Sequence, residues 1–508
     1  MSFPISFTKN SRLNLLFLSA VLFVLSQPPV SLFPLAYVAL APLFIALDPG
    51  KNRQNFLVGF IAGTAAYTGC VYWVIVAMNT YGGISIPLAI LILALLVLYM
   101  ALYVGVVTWL APLMERSLRI PFYIGAPLLW VLAEYWRGCF LTGFPWSYIG
   151  HSQSNFLTML QIVSITGTYF LSFLIVAVNA ILAHAWRSRR VPLVFTISIG
   201  LAIALSLAYG HVRLQERDAG TLTTAIIQGN IRQDVKWDAA FKLKTITRYA
   251  QMSLQSGQEA ALMVWPETAM PFVFNVDEAS DFVPALSKSL STDLLVGTLS
   301  RDAQGKFYNS AYIYGREGQL VGNYSKVHLV PFGEFTPLRQ YFPFLEKISV
   351  ATGDFFSGKG HLPITTDIGK VGILICYEGV FPHITNETVR NGAQVLVNIT
   401  NDAWFGRSSA PYQHLAFYVF RAVETDRFVL RAANTGVSAV INPRGRITTR
   451  TLIFEEAILK GTFSMRDGQT FYVRYGDYFL LACFVVLIGL ITWGISKKEV
   501  RDTRSEEK

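Results

Sequence analysis

Charged residues are scarce in this sequence, 15% of 508, where a soluble globular chain carries about 25%. A single soluble domain is thereby excluded. Cysteine is scarcer still, with four residues at positions 70, 139, 376 and 483. That number excludes a scaffold built on disulfides, and the separation offers no CxxC-type metal site. Any cysteine chemistry must come from one thiol acting alone. What the chain has in abundance is apolar: 53% hydrophobic residues, 14% aromatic and a mean hydropathy of +0.42. Lys and Arg outnumber Asp and Glu by 42 to 32, a net charge of +10. Such a balance suits nucleic acid, an anionic membrane surface or anchors flanking membrane spans, and the hydropathy favours the membrane readings.

The hydrophobicity is uneven. Residues 1 to about 212 are nearly all apolar runs, with spans expected near 13–27, 31–47, 55–79, 86–112, 121–138, 158–186 and 191–210, most of them near the roughly 20 residues a bilayer crossing needs. Composition is ordinary from 215 to 470, and 476–495 is apolar again. The expected layout is a membrane domain of seven spans (1–212), a folded domain (215–470), an eighth span (476–495) and a charged tail (496–508). Orientation follows the basic residues of the short loops. With eight spans, Lys9, Arg12, Lys51, Arg53, Arg116, Arg119, Arg187, Arg189, Arg190, Lys497, Lys498, Arg501 and Arg504 share one side, and only Arg137 falls in a short loop on the other. That shared side reads as cytoplasm, which puts 215–470 outside it. With the basic residues accounted for by topology, nucleic-acid binding has no support. Ser26-Gln27-Pro28-Pro29 offers no small-x-small cleavage site, so the first apolar stretch reads as a retained helix.

Within 215–470 the β-rich runs are 221–231, 261–268, 294–300, 309–315, 370–378 and 394–404. Helices are expected over 237–255 and 412–428, and Asn442-Pro443-Arg444-Gly445 reads as a turn between two late strands. Cys376 is the one cysteine of this region. It ends the run Val371-Gly372-Ile373-Leu374-Ile375, which places its sulfur at a strand-to-helix corner, where a nucleophile is exposed and backbone N–H groups can face a developing oxyanion. A thiol at neutral pH needs a proton acceptor and a nearby cation. Glu267 stands after the strand ending at Trp265-Pro266, where crevices form in open sheets, and Lys326 enters an apolar stretch. Taken singly, each of the three also reads as a core thiol or a surface ion-pair member.

Taken together, WPET (265–268), KVHLVPFGEF (326–335) and GILICYEGVFP (372–382) resemble the nitrilase, or carbon–nitrogen hydrolase, superfamily, whose sites combine Glu, Lys and Cys in this chain order. The resemblance implies Glu267 as general base, Lys326 as the cation that stabilises the tetrahedral intermediate, Cys376 as nucleophile and Glu334 as a second carboxylate. Spans before and after such a domain resemble one branch, the bacterial apolipoprotein N-acyltransferases. Thr142 to Trp146, Gln228 to Trp237 and Asn398 to Phe405 match this branch too, so that the likeness covers essentially the whole chain. It implies a helical membrane bundle of about eight spans joined to an α/β nitrilase-like αββα sandwich on the periplasmic face of the inner membrane. The implied partners are a phospholipid acyl donor, typically phosphatidylethanolamine, a diacylglyceryl apolipoprotein acceptor and the bilayer. No metal or cofactor is expected, His328 and His414 not being spaced as a ligand pair, and the chain is expected to be a monomer.

On this reading Glu267 takes the thiol proton, Cys376 attacks the ester, and Lys326 with a backbone N–H near 376–377 holds the oxyanion, in a two-step ping-pong transfer. Water must be kept from the thioester. Aromatic residues flanking the site (Phe335, Tyr341, Phe342, Phe344, Phe355, Phe356, with Met270, Phe272 and Phe274 after Glu267) read as lids or arms for lipid. Trp237 and Trp146 are candidate substrate contacts, Trp237 equally a packing residue. Tyr377 and Glu378 adjoin the nucleophile as supporting residues, Glu378 either orienting the site or purely structural. Glu134 and Arg137 read as a helix-face ion pair. Two other functions compete: a membrane-tethered amidase or nitrilase using the same three residues with water, and a transporter or scaffold whose outer domain only binds ligand.

Overall fold

The computed structural model describes residues 8–216, 220–234, 236–336 and 355–506. The chain forms two compact units, one of residues 1–72, 90–214 and 477–508, the other of 73–89 and 215–476.

The first unit is helical. Among the described residues four helices are long and apolar enough to cross a membrane, Ile86–Leu118, Thr168–Ser188, Leu193–Gln215 and Tyr478–Arg501, and Asn52–Val71 makes a fifth if it counts as one span with Val74–Tyr81, which belongs to the second unit. These are four or five spans where the sequence reading expects eight. Two expected spans contain short apolar helices instead, Asn10–Ser26 and Phe33–Ile45, and a third, 121–138, is the 18-residue helix Phe122–Cys139, while the expected span 158–186 holds the short helix Leu157–Thr166 before Thr168–Ser188. Pro34 and Pro42 break Phe33–Ile45 into single turns, since proline removes a donor and clashes with the preceding turn. The N–H groups freed near that break are satisfied by Asn179, whose Oδ1 accepts from Leu40 and Ala41 at 2.8 Å each, while its Nδ2 donates to Ala36. Gly167, at φ +70, separates Leu157–Thr166 from Thr168–Ser188. Glu134 and Arg137 both lie buried in the helix Phe122–Cys139 and take different partners. Glu134 accepts from Trp130 Nε1 and the Ile149 N–H, and Arg137 donates to the Trp146 carbonyl. The expected ion pair is replaced by these bonds, which join the helix to the loop that follows it.

The second unit holds two six-stranded sheets. One contains β1 (Leu222–Gln228), β2 (Leu262–Val264), β3 (Asp293–Arg301), β4 (Phe307–Tyr314) and β5 (Leu320–Ser325). The other contains β6 (Ile364–Thr366), β7 (Gly369–Ile375), β8 (Val395–Thr400), β9 (Val429–Ala433), β10 (Ala439–Ile441) and β11 (Ile447–Arg450). The last strand, β12 (Ala457–Phe463), returns to the first sheet. The orders are β12-β1-β2-β3-β4-β5 and β11-β10-β9-β8-β7-β6. Each sheet has three parallel strands, β1–β3 or β7–β9, flanked by antiparallel ones. The two halves thus repeat one architecture without a repeat in sequence.

The two-residue period of a strand sorts each sheet's side chains. Ile226, Leu262, Val264 and Leu295 meet Val371, Ile373, Ile375, Val397 and Ile399 in the core between the sheets. Their neighbours Ala225, Ile227, Met263, Trp265 and Leu294 face outward onto Tyr249 and Met252 of the helix Ala239–Ser256 and Val283 and Leu286 of Phe282–Leu290. Helices Pro382–Arg390 and Ala410–Thr425 pack on the second sheet, completing four layers, α, β, β, α. Each fully buried Val, Leu or Ile contributes roughly 1.5–3 kcal/mol by leaving water, so the inner layer holds the strand ends rigidly.

Candidate active site

The candidate side chains sit at the carboxyl ends of strands, where crevices open beside a parallel sheet. Glu267 follows β2 through Trp265 and Pro266, Lys326 is the first residue after β5, and Cys376 is the first after β7. Cys376 leaves its strand at φ +52, in the left-handed region, as does Thr268 at φ +46. Residues with a Cβ hold that conformation only where their surroundings over-determine it. Gly297 on β3 lets the Glu267 turn lie flat against the sheet: a Cβ there would strike the Pro266 carbonyl oxygen and come within 2.8 Å of Glu267 Cα.

Lys326 joins the acids. Its Nζ lies 2.8 Å from Glu334 Oε2 and 3.9 Å from Glu267 Oε1. Asn309 on β4 spans the same two carboxylates, its Nδ2 donating to Glu267 Oε1 at 2.7 Å and to Glu334 Oε1 at 2.9 Å. The Asn401 N–H completes the Glu267 carboxylate at 2.8 Å, and the Val330 N–H holds Glu334 at 2.8 Å. Lys326 is 1% exposed and Glu267 6%. Burial alone would lower the lysine pKa, yet Glu334, Cys376 and Glu267 together hold it well above the usual range, so the ammonium stays charged. The thiol is pushed up, first by burial and then by the Glu267 carboxylate, and the opposing pull of Lys326 and of the Thr400 hydroxyl is weaker. It rests protonated, with an acid, an amine and a hydroxyl close enough to act on its ionisation.

Around this centre lie residues that sequence reasoning missed. Lys236, buried, donates to Thr268 Oγ1 at 2.6 Å and to the Glu267 carbonyl at 3.3 Å. Burial lowers its pKa to about 8 against the pull of Glu267. Its neighbour Trp237 is 47% exposed, so one turn sends a lysine inward to the carboxylate's own backbone and an indole outward. Behind the nucleophile, Tyr418 and His414 approach the Cys376 carbonyl, and Asp402 and Arg431 support His414. Lone polar residues within apolar runs, such as Asn309 in β4, carry no signal until the fold shows what they face.

The other expected residues divide. Glu378 accepts from the Tyr324 hydroxyl, the Val327 and His328 N–H groups and the Ile375 N–H, at 2.8, 2.7, 3.2 and 2.7 Å. It ties the Lys326 segment to the nucleophile strand, and burial raises its pKa to about 7. Tyr377 is half-buried beside His328 and Phe381. Phe335 is half-buried in the turn that carries Glu334, and its carbonyl accepts from the Phe332 N–H at 2.7 Å. Trp146 is 2% exposed within the helical unit, its ring stacked on Phe144. Met270, Phe272 and Phe274, expected as lipid arms, are core residues of the outer face of the first sheet. The stretch after Glu267 runs beside β3, with the Phe274 N–H donating to the Leu299 carbonyl, and that pairing turns the rings inward. Tyr341, Phe342 and Phe344 lie outside the described residues. Among the described residues, no group of three or more His, Cys, Asp or Glu side chains could hold a metal ion.

This arrangement, two sheets between helices with Glu, Lys and Cys at the strand ends, defines the class of the second unit. A profile described as carbon–nitrogen hydrolase matches residues 223–471. A second, described as the apolipoprotein N-acyltransferase N-terminal domain, matches 19–181. Apolipoprotein N-acyltransferase of Geobacter metallireducens is 41% identical over 92% of each chain. That of Methylococcus capsulatus is 33% identical over 91% of this chain and 93% of its own. Among solved structures, a carbon–nitrogen hydrolase from Helicobacter pylori is 18% identical with a TM-score of 0.38, covering 48% of this chain and 89% of its own. The chain belongs to the apolipoprotein N-acyltransferase family.

Proposed function

We propose that this protein transfers a fatty acyl chain from a membrane phospholipid, phosphatidylethanolamine in the main, through a thioester on Cys376 to the α-amino group of a diacylglyceryl-cysteine at an apolipoprotein N-terminus. Lipid and lipoprotein substrates follow from the family. The observation that carries the mechanism is the Lys326 ammonium held between Glu267 and Glu334 beside a protonated thiol, in a unit whose only cysteine is Cys376.

Glu267 removes the thiol proton as sulfur attacks the ester carbonyl. Lys326 and a backbone N–H at 376–377 stabilise the oxyanion. The C–O bond breaks, the lysophospholipid leaves with the proton from Glu267, and the acyl group remains as a thioester. The amine then attacks, loses a proton to Glu267 and departs as an amide, and the proton returns to sulfur. The two half-reactions make a ping-pong cycle. Glu334 and Asn309 keep ammonium and carboxylate in register throughout, and Glu378 braces the nucleophile strand. Trp237, exposed next to Lys236, and Phe335, beside Glu334, are substrate contacts on this reading; Trp146 is a third.

The proposed setting is the bacterial inner membrane, with 1–212 supplying seven spans, 215–470 periplasmic, 476–495 an eighth span, 496–508 a cytoplasmic tail, and the chain a monomer. Supporting this are the apolar helices and the one-sided placement of Lys and Arg; the short helices 10–26 and 33–45 would cross as broken elements.

The test is mass spectrometry of full-length protein mixed with phosphatidylethanolamine vesicles. One fatty acyl unit should appear on the peptide holding Cys376 and leave on addition of a diacylglyceryl peptide. Cys376→Ala should lower transfer by more than about 10³-fold. Transfer without an adduct, or fatty acid release in place of transfer, would refute the thioester route.

A further inference from the structure

The carbonyl of the candidate nucleophile is gripped from behind. Tyr418 Oη donates to the Cys376 carbonyl oxygen at 2.7 Å, and His414 Nε2 lies 3.3 Å from the same atom. The two side chains are one turn apart on one face of the buried helix Ala410–Thr425. A carbonyl only accepts, and so does the Asp402 carboxylate that faces Nδ1, so His414 donates to both together only as the imidazolium, whereas Tyr418 donates in either state. His414 is itself fixed: its Nδ1 lies 2.9 Å from Asp402 Oδ1 and 3.2 Å from Arg431 Nη2, while Arg431 donates to Asp402 Oδ2 at 2.7 Å and the Thr400 hydroxyl to Asp402 Oδ1 at 3.0 Å. Although burial raises it, the Asp402 carboxyl is held at about 2 by Arg431 and His414, so the support stays charged across the working range. Gly379 leaves room for the tyrosine, since a Cβ there would strike its ring and hydroxyl.

The cluster meets the site at the Cys376 carbonyl. What it holds is a peptide plane. The Cys376–Tyr377 bond is trans, and in a trans peptide the C=O and N–H point in opposite directions. A carbonyl pulled toward the helix aims the Tyr377 N–H away from it. The left-handed φ of Cys376 sets the same plane from its other end, and a residue with a Cβ keeps that conformation only when its neighbours enforce it.

Resting on the thioester reading, we infer that Tyr418 and His414 are positioning residues that lock the Cys376–Tyr377 peptide so that its N–H meets the developing oxyanion opposite Lys326. The inference separates two reactions of one sulfur. Acylation passes through an oxyanion and needs that N–H; alkylation by iodoacetamide is a displacement at carbon that forms none.

The experiment compares both rates in full-length protein in detergent micelles, with phosphatidylethanolamine as acyl donor. Tyr418→Phe removes one oxygen from a filled site, and Tyr418→Phe with His414→Asn removes both groups that meet the carbonyl. Thioester formation at Cys376 should fall about tenfold to a hundredfold in the single variant and further in the double, a scale set by the loss of an oxyanion donor. Iodoacetamide alkylation of Cys376 should stay within about twofold of wild type, and the half-saturating donor concentration should not move. Unchanged acylation in Tyr418→Phe overturns the inference, as does an equal fall in both reactions, which marks general damage at the corner. A wild-type protein that forms no thioester overturns the underlying reading and the inference with it.

Discussion

A thiol that burial and a neighbouring carboxylate keep protonated is a poor nucleophile, and its reactivity depends on how the charges beside it are arranged. Lys326 draws on three neighbours to remain charged, Glu334 first among them. Removing that partner leaves a buried ammonium facing Glu267 across 3.9 Å. Glu334→Gln is expected to destabilise the protein by about 3–5 kcal/mol, the scale for breaking a buried pair, and to slow thioester formation because Lys326 turns toward the base. Thermal unfolding of the solubilised protein and the rate of adduct formation measure the two effects. An unchanged unfolding temperature would show that solvent replaces the lost oxygen. At this scale Glu267, Lys326, Cys376 and Glu334 stand out in the sequence because their motifs are local. Asn309, Lys236, Tyr418 and Arg431 do not, because each acts on a residue brought near only by folding.

At the scale of elements, most parallel core strands were legible: β1, β3, β7 and β8 fall within β-rich runs, and each is buried over most of its length, as strands covered on both faces are. Strands β5, β6 and β12 were not read, since exposed positions interrupt their hydrophobic pattern. Neither was β9, which carries the buried Arg431. The aromatic stretch after Glu267 went to the core because it pairs along β3. That close fit makes Gly297 a sensitive position. Gly297→Ala places a methyl against the Pro266 carbonyl and Glu267 Cα. The expected result is a loss of about 1–3 kcal/mol from overpacking, with a fall in acyl transfer as the carboxylate shifts. Both are checked on the full-length protein, by unfolding and by adduct formation. A variant as active and as stable as wild type would mean that the turn is free to move.

At the scale of the whole molecule, the charge distribution makes a topological prediction. If residues 215–470 face the periplasm as proposed, a cysteine introduced at the exposed turn residue Gln304 is expected to react with a membrane-impermeant maleimide in cells with a permeabilised outer membrane and an intact inner one. A cysteine introduced at Lys51 should react only after the inner membrane is opened. The reverse pattern would invert the orientation. The described helices divide the apolar region differently from a hydropathy profile. Pro34, Pro42 and Gly167 interrupt runs that composition alone reads as continuous, and Asn179 bonds the backbone groups that one such break releases. Residues 73–89, read as parts of two spans, cluster with the second unit, where Trp73 donates to Gln413 and packs edge-on against Phe405.

By itself the sequence determined the division into an apolar helical region and a mixed α/β region, the chain order of acid, amine and thiol, and the family. These depend on composition, short-range periodicity and contiguous motifs, all of which are written along the chain. Tertiary structure alone decided that Lys326 lies between two carboxylates, that the rings after Glu267 are core, and that a helix some 40 residues beyond Cys376 grips its carbonyl. Those contacts join segments tens to more than a hundred residues apart, and no local pattern records which strand ends a sandwich will bring together.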